Sequence, residues 1–159
     1  VITLHRDWKK DEVNNLLIPV DFSQHSKKAV EAGAQWAKKF GAGITLMHVV
    51  EQERHPEFYS ISSKSIFEEN PQLKSQIEEN LIDFSGLEED EVTTVVAEGR
   101  VDKEIADYSG NNDLDLIVMG TKGYSPLEHL LLGSNTERMV RIAPCPVLTV
   151  SRAQMKSNT

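Results

Sequence analysis

The sequence predicts an α/β domain with an open parallel sheet and helices on both faces, and three observations predict it. Short, nearly all-apolar runs recur along the chain: Leu16 to Val20 (LLIPV), Ile44 to Val50 (ITLMHVV), Val92 to Ala97 (VTTVVA), Leu114 to Met119 (LDLIVM) and Val147 to Val150 (VLTV). Longer stretches between them carry apolar residues at helical spacing. Glycine, proline or a capping residue marks most of the junctions. Strands covered on both faces read as continuous apolar runs, and strands alternating with helices imply parallel pairing through right-handed crossovers.

Each element has its own signal. The first run, between Asn14-Asn15 and Asp21, is too short for a helix and reads as a buried strand. Ser23 can cap the next element, Gln24 to Phe40, where Ala29, Val30, Ala32, Gly33, Trp36, Ala37 and Phe40 form one face and Gly41 stands at the C-cap. Trp36, Phe40, Leu116 and Val118 read as core. Glu51 to Lys64 is polar and without period, a loop; Pro71 opens a helix through about Phe84, and the acidic run Glu88 to Glu91 reads as a solvated turn. After the third strand come the turn Glu98-Gly99 and a helix from about Val101 to Tyr108. A helix from about Asn135 to Ile142 precedes the last strand, which lies behind Pro144 and Pro146. The chain divides into residues 1–14, an extension or linker; 15–152, the domain; and 153–159, a polar tail.

Composition narrows the function. At 159 residues, 39% hydrophobic and 26% charged, the chain suits one soluble domain, and its net charge of -8 opposes a broad nucleic-acid footprint. The lone Cys145 closes no internal disulfide, the five histidines are scattered, and no His/Cys cluster has zinc spacing. No apolar run approaches the ~20 residues that cross a bilayer. A cytoplasmic protein without a membrane or nucleic-acid partner is the expectation.

The segment MGTKGYSPLEHLLLGSNTE, Met119 to Glu137, carries the chemistry. It begins where the fourth strand ends, at the carboxyl edge where open α/β sheets bind ligands. Ser125-Pro126-Leu127-Glu128 and Ser134-Asn135-Thr136-Glu137 each read as a capping box, so two helix N-termini offer unpaired N–H groups to an anion. Gly120, Gly123 and Gly133 would let a phosphate approach the main chain. The alternative is that the glycines only make turns and Ser134 only caps its helix. Neither GxxxxGK[ST] nor GxGxxG is present.

The pattern of Gly120, two residues, Gly123, nine residues and Gly133-Ser134 resembles the ATP-binding signature of the universal stress protein family. The resemblance extends from about Asn15 to Ser151, through LLIPVDFSQHSKKAV, HVV, VVAEGR, DLDLIVMGTKG and APCPVLTVS. It implies a flavodoxin-like, five-stranded parallel sheet of order 3-2-1-4-5. It also implies that Pro19, Asp21 and Val49 form the adenine and ribose side of an ATP pocket, with Val49 offering backbone hydrogen bonds to the base. Met119, Gly120, Lys122 and Gly123 would line the ribose and first phosphates, and Gly133, Ser134, Asn135 and Thr136 the later ones. Asp21 would hold magnesium or manganese; its other reading is an N-terminal helix charge. Asn135 departs from the apolar β-branched residue common in relatives. The implied function is nucleotide-responsive regulation by ATP, ADP or AMP with at most slow hydrolysis. The alternative is a stress protein acting without nucleotide through dimerisation and partner contacts. Homodimerisation is expected through the edge strand Val147 to Val150.

The first residues contain an echo. Val1-Ile2-Thr3-Leu4-His5-Arg6 parallels Val147-Leu148-Thr149-Val150-Ser151-Arg152, with valine, threonine and arginine in register. It suggests the second half of a tandem protein, in which Ile2 to Leu4 would seek an open sheet edge.

Overall fold

The structure, a computed structural model, describes residues 1–3, 10–51, 64–122 and 132–151. Its elements in chain order are β1 (Ile2–Thr3), β2 (Asn15–Pro19), α1 (Gln24–Phe40), β3 (Gly43–Glu51), α2 (Ile66–Glu69) and α3 (Pro71–Ser85). They continue with β4 (Val92–Gly99), α4 (Val101–Asn111), β5 (Leu116–Gly120), α5 (Ser134–Ile142) and β6 (Val147–Val150). A short 3-10 turn, Glu89–Glu91, occupies the acidic run.

The sheet among the described residues has six strands in the order β1-β6-β5-β2-β3-β4. The expected five-stranded sheet is therefore corrected. Strands β2 to β6 are mutually parallel and, counted from β2, follow the order 3-2-1-4-5, while β1 adds an antiparallel sixth strand outside β6. The edge that the sequence leaves open at Val147 to Val150 is thus occupied. Ile2 lies opposite Leu148 and Thr3 opposite Val147, as the edge-seeking reading of Ile2 requires.

Alternation along the strands divides the core between the two faces. Leu16 and Ile18 of β2 join a cluster with Val30 of α1 and Leu81 of α3. Leu17, between them, joins Met47, Ile105 of α4, Ile117, Met139 of α5 and Val147 on the other face. Both faces are covered, so the strands are apolar almost throughout.

Local signals hold at α1. The Ser23 hydroxyl accepts from the Ser26 N–H at 3.2 Å, and Gly41 ends the helix with a left-handed φ of 67°. Phe40 is not core: its side chain is 51% exposed, because the last helical position turns toward solvent and its ring leans on Trp36 with centroids 5.3 Å apart. The fourth apolar run enters the sheet only at Leu116. Asp115 is buried ahead of it, accepting from the backbone N–H groups of Asn14 and Asn15, each at 2.9 Å, and from Lys10 Nζ at 2.6 Å. Burial alone would raise the Asp115 carboxyl, but the Lys10 hydrogen bond and the two backbone donors hold it below its ordinary value.

Candidate ligand-binding site

β2 and β5 are neighbours, with Leu16 opposite Leu116 and Leu17 opposite Ile117. Beyond them the chain diverges: β2 feeds α1 on one face, and β5 leads toward α5 on the other. A crevice at the carboxyl edge follows from that divergence. There the structure holds a cavity of about 510 Å³, within the range of small-molecule sites.

Pro19, Asp21 and Val49 line one side of it, and Met119, Gly120, Lys122, Gly133, Ser134, Asn135 and Thr136 line the other. Of the residues singled out from sequence, only Gly123 lies outside the described residues, as does the capping box Ser125 to Glu128. Sequence reasoning missed Met47, His48, Val101 and Ile105, which also line the cavity. Two signals could have found them. His48 is a polar residue inside an apolar strand, and Val101 lies two residues beyond Gly99, the carboxyl end of β4.

The entry to α1 is a tight turn. Asp21 Oδ1 accepts from the Ser23 N–H at 3.0 Å, and Phe22 takes a left-handed φ of 62°, uncommon for a bulky residue. Packing holds it there: the Phe22 ring lies 5.0 Å from the His48 ring and 5.3 Å from the Phe84 ring, centroid to centroid. His48 Nδ1 lies 2.7 Å from the Val20 carbonyl oxygen. That oxygen can only accept, so Nδ1 carries the proton in the neutral ring and Nε2 is the acceptor.

The position of Val49 follows from the ladder. The Met47 carbonyl accepts from the Val20 N–H at 2.8 Å, so its backbone polar groups point toward β2. Val49, two residues on, points the same way, but β2 ends at Pro19. The Val49 main chain therefore faces the space beyond β2.

On the opposite side, β5 and α5 are tied together. The Thr136 hydroxyl donates to the Gly120 carbonyl at 2.9 Å, and the Gly133 N–H donates to the Thr121 carbonyl at 2.6 Å. The second capping box is corrected by this geometry. Gly133, not Ser134, is the N-cap, with φ −69° and ψ 153°, and no side chain caps the helix. Ser134 becomes the first helical residue, on the cavity wall. Gly120 has a reason to lack a side chain that the sequence did not suggest: a Cβ there would lie 2.7 Å from the His25 carbonyl oxygen in α1.

Next to the cavity, at the start of α4, Asp102 is buried and paired with Arg100, Nε to Oδ1 at 2.7 Å and Nη2 to Oδ2 at 3.1 Å. Burial acts to raise its carboxyl, but the Arg100 hydrogen bond, the Lys103 backbone N–H and the charges of Arg100 and Arg138 hold it below its ordinary value. Burial also pushes the Cys145 thiol up to about 12, which makes it unreactive. Among the described residues no three His, Cys, Asp or Glu side chains cluster for a metal, and no helix is long and apolar enough to cross a membrane.

A mostly parallel α/β sheet with a ligand-sized crevice at its switch point places the chain in the doubly wound class. The chain belongs to the universal stress protein family, whose profile matches residues 12–151. It is 33% identical over 140 residues to the universal stress protein MJ0531 of Methanocaldococcus jannaschii, covering 86% of this chain and 81% of that protein. The solved structure of MJ0577, a universal stress protein of the same organism, superposes with a TM-score of 0.68 at 27% identity, covering 87% of this chain and 96% of that one. A universal stress protein crystallised in complex with cAMP shares the fold, with a TM-score of 0.63 at 18% identity over 89% of this chain and 98% of that one.

Proposed function

We propose that the chain binds ATP in the carboxyl-edge cavity and acts as a nucleotide-responsive regulatory protein of the cytoplasm. One observation carries the reading: residues far apart in sequence, Pro19, Asp21 and Val49 on one side and Gly120, Lys122 and Gly133 to Thr136 on the other, line the same cavity. The Val49 main chain suits the edge of a base. The start of α5, with Lys122 beside it on the cavity wall, suits phosphate, because helix N-termini present N–H groups and partial positive charge. The sequence signature would add Gly123 to the phosphate contacts.

Asp21 would hold magnesium or manganese, which would supply positive charge against the phosphates. The cavity offers the carboxylates of Asp21 and Glu51, and one or two carboxylates suit these ions, which keep several waters and take the remaining oxygens from phosphate. Hydrolysis is at most slow, since the Thr136 hydroxyl is already engaged with the Gly120 carbonyl. Action without nucleotide, through dimerisation and partner contacts, is the weaker reading, because Gly120, Gly123, Gly133 and Ser134 of the signature are all present.

The test is thermal unfolding of protein stripped of copurified nucleotide. A ligand at about 100 times its dissociation constant adds ~2.7 kcal/mol of stability, so ATP with magnesium should raise the midpoint. No rise at millimolar ATP would overturn the proposal.

A further inference from the structure

β3 runs past the end of its neighbour β2, and the step at which they part is unusual. The two strands pair from Asn15 opposite Gly43 to Pro19 opposite Met47, and the Val20 N–H still donates to the Met47 carbonyl at 2.8 Å. One further step of the same parallel ladder would set Val20 opposite His48 and give the Val20 carbonyl the Val49 N–H as its donor. That step is not taken. The Val20 carbonyl instead accepts from His48 Nδ1 at 2.7 Å, and the ladder ends at Pro19. The other side of β3 continues, with Val49 opposite Ala97 and Glu51 opposite Gly99 in β4. Among the described residues the Val49 N–H is therefore left without the strand partner that its position calls for, and Val49 lines the cavity.

We infer that His48 is a positioning residue of the site: by taking the Val20 carbonyl, its ring keeps the Val49 N–H open toward the cavity, where a ligand can take it. For its ligand the inference rests on the ATP reading, in which that N–H meets an acceptor nitrogen at the edge of the base. The competition for the Val20 carbonyl stands on the fold alone. Val20 is buried, and buried backbone groups are almost always paired, so a carbonyl left free there would draw the donor that the ladder offers, the Val49 N–H. Packing fixes the ring in place. The Phe22 ring lies against it with centroids 5.0 Å apart, and Phe84 backs Phe22 at 5.3 Å. Alternation along β3 puts the His48 side chain on the face of Leu46 and Val50, opposite the face of Met47 and Val49. His48 thus acts on the ligand contact through the main chain.

Amide hydrogen exchange of the 159-residue chain, read residue by residue by NMR, tests the role without any nucleotide. In the unmodified chain the Val49 amide should exchange about tenfold or more faster than the Met47 amide inside the ladder, the weight of one hydrogen bond. His48→Phe keeps a ring against Phe22 but offers no donor, so Val20 and Val49 should pair and the Val49 amide should slow to the Met47 rate. His48→Asn places an amide N–H near the position of Nδ1 and should restore fast exchange. ATP affinity should follow the amide, falling about tenfold in His48→Phe and recovering in His48→Asn, whereas the affinity for inorganic tripolyphosphate, which has no base, should not change. A Val49 amide already protected in the unmodified chain would overturn the inference whether or not the variants fold. So would a folded His48→Phe variant whose Val49 amide stays fast, or one whose amide slows while ATP affinity is unchanged. Equal losses for ATP and tripolyphosphate would make His48 a structural residue only and overturn it as well. An unmodified chain with an open Val49 amide and no affinity for ATP would overturn the ATP reading, and the amide rates in His48→Phe would still decide the role of His48.

Discussion

Gly120 sits between two elements and a cavity, and its neighbours decide what a side chain there would cost. The His25 backbone would be 2.7 Å from an added Cβ, and backbone cannot swing aside as the end of a flexible side chain can. Gly120→Ala should therefore destabilise the fold by about 1–3 kcal/mol, the usual cost of overpacking a tight contact. Chemical denaturation of the variant without nucleotide measures it. An unchanged stability with lost ATP binding would instead assign the glycine to phosphate approach alone. The main chain at Gly120 is engaged as well, its carbonyl holding the Thr136 hydroxyl. A single position thus sets the spacing of α1, β5 and α5 around the cavity.

At the scale of elements, α1 is specified at both ends by its own sequence. Ser23 satisfies the Ser26 N–H and Gly41 supplies the left-handed C-cap, whose N–H bonds back to Ala37. Ser23→Ala should cost ~1 kcal/mol of stability through the lost cap. Because Asp21, not Ser23, lines the cavity, the rise in melting temperature proposed for ATP should survive in this variant. A variant that keeps its stability would show that the Ser26 N–H finds another acceptor. α5 follows a different logic. Its N-cap is a glycine without a capping side chain, and its position comes from bonds to the end of β5. A helix start held from outside puts its first residues, Ser134 to Thr136, on the cavity wall.

Across the whole molecule, two buried carboxylates bear on its response to acid, and one of them, Asp115, ties distant parts of the chain together. Asp115 binds the chain before β2, and Asp102 binds Arg100 at the start of α4. Both carboxyls are held below their ordinary value of 3.8. A group with a depressed folded pKa binds its proton more weakly folded than unfolded, so its contribution is full above the unfolded value and lost as pH falls through the folded one. Stability should therefore decline below about pH 4 through these groups, and Asp115→Asn should make the decline shallower. Denaturation midpoints measured across the acid range would check this. An equally steep decline in the variant would show that other carboxylates govern acid unfolding.

The residues expected at the carboxyl edge were implied by the resemblance to the universal stress protein family; the sequence by itself determined the α/β class, the runs that become β2 to β6, and both ends of α1. Those are local matters: hydrophobic period, capping and turn chemistry act within a few residues, and the carboxyl-edge rule follows from strand direction. Tertiary structure alone decided that Gly120 abuts His25, that His48 bonds Val20, that Phe40 faces solvent and that Asp115 precedes the strand instead of joining it. It also turned an edge read as open into one covered by Ile2 and Thr3. Residues 2 and 148 are neighbours only because the sheet places β6 last and leaves its outer backbone groups to be satisfied. No periodicity within either segment carries that information.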